Sequence, residues 1–284
     1  MLEFRGSKAN SLAIERSDTM KVDLVGKRAL VTGSTTGIGY AIVKGLAEAG
    51  ATVVVHGQVD DHVATARERL TKEVANAHVM GHAADLGDAR AIRGLLAEIP
   101  SVDILVNNAG PTPSAAFFEL SDEAWQRYQD VYVTAAVRLA RHYLPRMIRA
   151  GWGRILCSGA MTCSYTPGDT GGAATMIAWL TAKAALLGLA RGLAEVAAGT
   201  SVTVNSFIPG PAHTADAHAR ANMSVPYEKF TAEYFAGPGS SSIIRRFIDP
   251  TEIANLVVFL VSEQASAITG ATLRADGGII RTLT

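Results

Sequence analysis

Two stretches of this chain carry residues whose types and spacing could do chemistry. Thr32-Gly33-Ser34-Thr35-Thr36-Gly37-Ile38-Gly39 follows an apolar run and opens an amphipathic one. Glycines in such a turn let the backbone pass close to a pyrophosphate, which then meets the free N–H groups of the following helix. The implied chemistry is dinucleotide binding. The second stretch is Trp179-Leu-Thr-Ala-Lys183. A lysine amine can hold or release a proton, whereas an indole N–H is a donor only and does not titrate in the useful range. Hydroxyls at Ser158, Thr162, Ser164 and Tyr165 precede it; any of them could bring a hydroxyl into the pocket, but each reads better as a loop or strand residue without a catalytic role. His213 and His218 with Asp216, and the pair His78 and His82, lack a firm third ligand, so no metal site is expected. No Ser-His-Asp or P-loop arrangement is visible.

These stretches need strands and helices to bring them together. β-branched and apolar runs predict strands at Arg28–Thr32, Thr52–His56, His78–Ala83, Val102–Val106, Arg154–Cys157, Val202–Phe207 and Thr272–Arg274. Between them, helical patterns cover Gly37–Ala49, Asp60–Val74, Ala89–Ile99, Asp122–Ala150, Ala173–Ala198 and Thr251–Val261. Strands alternating with helices predict an α/β fold: a single Rossmann-type, doubly wound parallel sheet flanked by helices. Two irregular stretches, Cys163–Ala174 and Pro211–Arg246, follow strand ends, where open α/β sheets bind ligands. The second carries Tyr227, Phe230, Tyr234 and Phe235 and reads as a substrate lid.

Composition narrows the function classes. With 284 residues, 48% of them hydrophobic, the chain suits one large domain over residues 25–284, with residues 1–24 as a flexible extension. Its 26 basic and 26 acidic residues balance, so it lacks the basic footprint of a nucleic-acid or anionic-membrane binder. No apolar run of membrane-spanning length is expected, nor is a secretory signal. Cys157 and Cys163 form no disulfide framework, which together with the missing signal favours a cytoplasmic protein. Arg141 and Arg146 read as surface charges, unless one turns toward an anionic substrate.

From about Val25 onward the chain resembles the short-chain dehydrogenase/reductase family. The resemblance rests on Thr32 to Gly39, Asp85-Leu86, Asn107-Asn108-Ala109-Gly110, Pro209-Gly210 with Thr214, and Asp276-Gly277-Gly278. It implies that Asp85 with Leu86 holds the adenine and that Asn108, Ala109 and Gly110 back the cofactor. Lys183 would bond the nicotinamide ribose, and Pro209, Gly210 and Thr214 the carboxamide. An acid at the end of the second strand would pair with the ribose 2′-hydroxyl of NAD, but Gly57 and Gln58 stand there. Ser34, Thr35 and Gln58 could donate to a 2′-phosphate, and Thr36 stands where some relatives place a basic residue. NADP(H) is therefore favoured, with NAD(H) open. Homodimers or homotetramers, paired through the two long helices, are also implied.

The family's chemistry uses Asn, Ser, Tyr and Lys. Carried over by motif, Lys183 fits, while Tyr132 falls at the Asn position, Ala160 at the Ser position and Trp179 at the Tyr position. Three readings follow. One is a reductase of atypical mechanism on an imine, iminium or similarly activated double bond, with cyclisation coupled to it, as in secondary metabolism. Another is a cofactor-retaining cyclase, lyase or dehydratase. The third is a silent, nicotinamide-binding regulatory protein.

Overall fold

Val53, Val54 and Val55 are all fully buried, the mark of a strand covered on both faces. In the computed structural model, which describes residues 22–110, 116–160, 176–214, 227–237 and 241–281, seven such strands form one parallel sheet. They are β1 (Arg28–Val31), β2 (Thr52–Gly57), β3 (Val79–Ala83), β4 (Ile104–Asn107), β5 (Gly153–Ser158), β6 (Val202–Pro209) and β7 (Thr272–Ala275). Their order is β3-β2-β1-β4-β5-β6-β7. The chain therefore reverses direction across the sheet between β1 and β4, the switch point where such folds open a crevice beyond the carboxyl ends of the strands.

Side chains alternate across the strands and sort the helices into two layers. Val53 and Val55 belong to one core with α1 (Gly37–Glu48), α2 (Asp60–Glu73) and α8 (Pro250–Leu260), through residues such as Leu46, Leu70 and Val257. Val54 belongs to the other, with α3 (Ala89–Glu98), α5 (Ala135–Ala150) and α6 (Ile177–Val196), through Leu95, Leu139 and Leu186. The doubly wound sheet expected from the sequence is the one observed. Most expected element ends shift by one or two residues.

One expected helix is not continuous. Asp122–Ala150 divides into α4 (Asp122–Tyr128), a π-helical segment (Gln129–Thr134) and α5. In the irregular stretch after β6, the described residues form α7 (Tyr227–Ala236), while Asp216 and His218 lie outside them. The stretch Cys163–Ala174, with Ser164 and Tyr165, and Thr162 just before it, is also outside the described residues, as are residues 1–21. Contrary to the expectation of no such run, α6 is long and apolar enough to cross a membrane by length and composition. Its Ala182, Leu186 and Ala190 are instead packed in the second core, and it runs against β5 and β6.

Candidate active site

The turn after β1 is fastened to the end of β4. Thr32 Oγ1 accepts the N–H groups of Asn108 (2.9 Å) and Ala109 (3.0 Å), and Asn108 Nδ2 donates to the carbonyls of Thr32 and Gly33, both at 3.1 Å. A Cβ at Gly39 would collide with the Gly33 carbonyl oxygen, so the glycine is what lets α1 start this close to β1. Thr36, the N-cap of α1, makes no side-chain capping bond. The helix therefore begins beside the cavity with first-turn N–H groups that no cap claims, a ready site for a phosphate. Glycine backbone and open helix terminus together fit a dinucleotide pyrophosphate.

Behind this turn stands His56. Its Nδ1 accepts the Gly33 N–H at 3.3 Å, its own N–H donates to Ser34 Oγ at 3.0 Å, and Ser34 Oγ donates to the Val31 carbonyl at 2.7 Å. Burial pulls the His56 pKa down to about 4, so the ring is neutral and accepts. Ser34 is fully buried. Its hydroxyl is committed inside the turn, which corrects the expectation that it donates to a cofactor.

The reaction end gathers around α6. Lys183 is 5% exposed, and its Nζ donates to the Ser158 carbonyl at 2.7 Å and to Ser158 Oγ at 3.3 Å. The same nitrogen lies 5.1 Å from the centroid of the Tyr132 ring. Burial pushes its pKa down to about 7, so at neutral pH the amine is poised between its two forms. The neighbouring Cys157 is driven the other way by burial, to about 11, and stays a neutral thiol. Trp179 sits one turn before Lys183 on the same helix, and both line a cavity of about 590 Å³. On the walls of the same cavity, Phe230 and Phe247 stack at 5.6 Å between centroids, and Tyr234 meets Phe247 at 5.0 Å. Tyr132, Trp179, Phe230, Tyr234 and Phe247 all face this cavity, and no Asp or Glu is among its described walls.

The amino-acid sequence agrees with known proteins over nearly its full length. A family model described as enoyl-(acyl carrier protein) reductase matches residues 33–280. An uncharacterized oxidoreductase, YvaG, of Bacillus subtilis (strain 168) is 40% identical over 93% of this chain and 100% of its own length. The chain belongs to the short-chain dehydrogenase/reductase family. Among solved structures, L-sorbose reductase from Gluconobacter frateurii, complexed with NADPH and L-sorbose, superimposes with a TM-score of 0.83. It is 31% identical and aligns over 93% of this chain and 100% of that one. An NADPH-bound short-chain oxidoreductase from Pseudomonas aeruginosa PAO1, described as containing an atypical catalytic center, aligns with a TM-score of 0.81 at 27% identity. That alignment covers 92% of this chain and 99% of the other.

Most residues picked from the sequence of this short-chain dehydrogenase/reductase meet at the cavity. Gly33, Thr35, Thr36, Gly37, Ile38 and Gly39 line it with Asn108, Ala109, Gly110, Tyr132, Ala160, Trp179, Lys183, Pro209, Gly210 and Thr214. Ser34, Gln58, Asp85 and Leu86 are not among its walls. Asp85 Oδ1 instead accepts from Arg127 Nη2 (2.6 Å) and the Gly87 N–H (2.9 Å), and its carboxylate also bonds the Gln58 side chain. That knot ties the ends of β2 and β3 to α4. Arg141 and Arg146 line a separate groove between α3 and α5. Ser158, discounted in the sequence, is the direct partner of Lys183. Phe247, just past the expected lid, was not picked; it reaches the cavity because a parallel bridge pairs Ala212 with Ile248. His213 is a wall of the cavity, and among the described residues no group of three or more His, Cys, Asp or Glu could hold a metal ion.

Proposed function

We propose that this chain is an NADP(H)-dependent reductase acting on an imine, iminium or similarly activated double bond, with ring closure able to follow in the same pocket. The carrying observation is Trp179, on the cavity wall one turn before Lys183, where the family resemblance assigns the proton-donating Tyr. With Ala160 in the Ser position, the usual Ser-Tyr pair is missing. An indole offers an aromatic face and a non-titrating N–H, so it cannot hand over a proton. An iminium carbon needs none, since hydride addition neutralises the substrate. Five aromatic rings and no carboxylate on the described walls suit a flat cation held by ring faces rather than by an ion pair.

When bound, the reduced nicotinamide supplies the hydride. The glycine turn and the α1 terminus would hold its pyrophosphate, and Lys183 its ribose. The absence of an acid at Gly57 and Gln58 removes repulsion against a 2′-phosphate and supports NADP(H) over NAD(H). The NADPH complexes of both structural neighbours support the same choice. The atypical center of the second is consistent with a working enzyme of this fold that departs from the standard residues.

The test is a substrate panel followed at the NADPH absorbance. Stoichiometric oxidation of NADPH with cyclic imines and iminium ions, and slow turnover of matched ketones, is the expected result. Turnover of sugars or ketones at ordinary reductase rates, with imines inert, would reject the reading. In the same assay Trp179→Tyr is expected to raise ketone reduction at least about tenfold, a tenth of the usual lower bound for a positioned acid, because Ala160 and Tyr132 still differ from the family pattern.

A further inference from the structure

The cavity holds two phenols, the half-buried Tyr234 and the buried Tyr132, and Tyr132 is the one beside Lys183. Tyr132 comes from the π-helical segment, is 3% exposed, and lines the cavity. A Cβ at Gly110 would run into its ring at the Cε1, Cζ and hydroxyl end, so the hydroxyl lies against the Gly110 backbone. That glycine, with φ +150, is itself a cavity wall beside Ala109 and Asn108. Lys183 Nζ is over the same ring, 5.1 Å from its centroid. A π-bulge carrying one such inward residue is an arrangement common at functional sites.

We propose that Tyr132 is a catalytic acid of this enzyme, serving those substrates whose heteroatom is neutral. The inference rests on the reading that Trp179 leaves position 179 without an acid. In the step, the substrate carbon gains a hydride and its π bond to nitrogen or oxygen breaks. The heteroatom takes the Tyr132 hydroxyl proton, the nicotinamide is left oxidised, and solvent later returns a proton to the phenolate. The Lys183 cation favours that phenolate while it exists. An iminium substrate bypasses Tyr132 altogether.

The experiment compares Tyr132→Phe with the natural chain on two substrates of the same ring: a permanently charged N-alkyl iminium and its neutral ketone or imine counterpart. Turnover of the neutral substrate should fall by about 10²–10⁴, while iminium turnover changes by less than about threefold and NADPH affinity, read by fluorescence titration, holds. Equal losses on both substrates, or no loss on either, would overturn the role. If the phenylalanine variant does not fold, 3-fluorotyrosine at position 132 keeps the shape and acidifies the phenol. A rate change confined to the neutral substrate then supports the acid, and an unchanged rate rejects it. Should the natural chain reduce ketones but no imine or iminium, the imine reading fails while the ketone arm still decides on Tyr132.

Discussion

Two buried bases support this site, Lys183 on the cavity wall and His56 behind the glycine turn, and burial lowers the pKa of both. Lys183 drops to about 7 from 10.5, and His56 to about 4 from 6.5. An unfolded lysine keeps its proton up to about 10.5, while the folded one releases it near 7. Between those values the unfolded chain binds more protons, so stability from this group rises with pH across that window. Removing the amine should remove that dependence. Lys183→Met is expected to melt higher than the natural chain at pH 6, with the gap narrowing toward pH 10, while losing NADPH affinity at every pH. Parallel melting curves with a constant gap would show that Lys183 is not buried as a depressed base. Ser34 shows what single residues conceal: its place in the glycine turn suggests a ligand donor, yet its hydroxyl turns inward to Val31 and His56. Residue type and position were legible, whereas side-chain direction depends on the local path of the backbone.

At the scale of elements, the strand and helix pattern was legible because continuous β-branched apolar runs and period-3.6 apolar spacing are written directly in the residues. The π-helical segment was not. One extra residue within Asp122–Ala150 leaves the apolar spacing on either side intact, so the stretch reads as one helix. Deleting Asp130 should return the segment to α-helical register and rotate Tyr132 away from the cavity by about 100°. The expected result is retained helical circular dichroism with loss of turnover of the neutral substrate; a deletion variant that still reduces that substrate at the natural rate would mean that the bulge does not place Tyr132. The entry to α8 was clearer in sequence. Asp249 accepts from Thr251, Glu252 returns a bond to the Asp249 N–H, and Pro250 opens the helix. Asp249→Ala should cost about 1 kcal/mol and lower Tm by roughly 2–4 °C. A melt unchanged within error would show that packing against α1 alone carries this end.

The order of the sheet is what turns these parts into a site. Because all seven strands are parallel, every carboxyl end lies on one edge, and the reversal between β1 and β4 opens that edge for a ligand. The aromatic wall could not be assembled from spacing alone, since Phe247 stands 68 residues beyond Trp179 in sequence and reaches the cavity only through the pairing of Ala212 with Ile248. If this edge is the NADP(H) site, ligand binding must stabilise the whole fold, because the turns after β1 and β4, the start of α1, the ends of β5 and β6, and α6 and α7 all contribute walls. At a free concentration 100 times its dissociation constant, NADPH should add about 2.7 kcal/mol, which for a chain of this size is roughly 5–10 °C in Tm. NADH at the same concentration should give a smaller rise, because Gly57 and Gln58 offer its 2′-hydroxyl no carboxylate. Equal shifts from NADH and NADPH would remove the argument for NADP(H). No shift from either would mean that the glycine turn and open helix terminus no longer hold a dinucleotide.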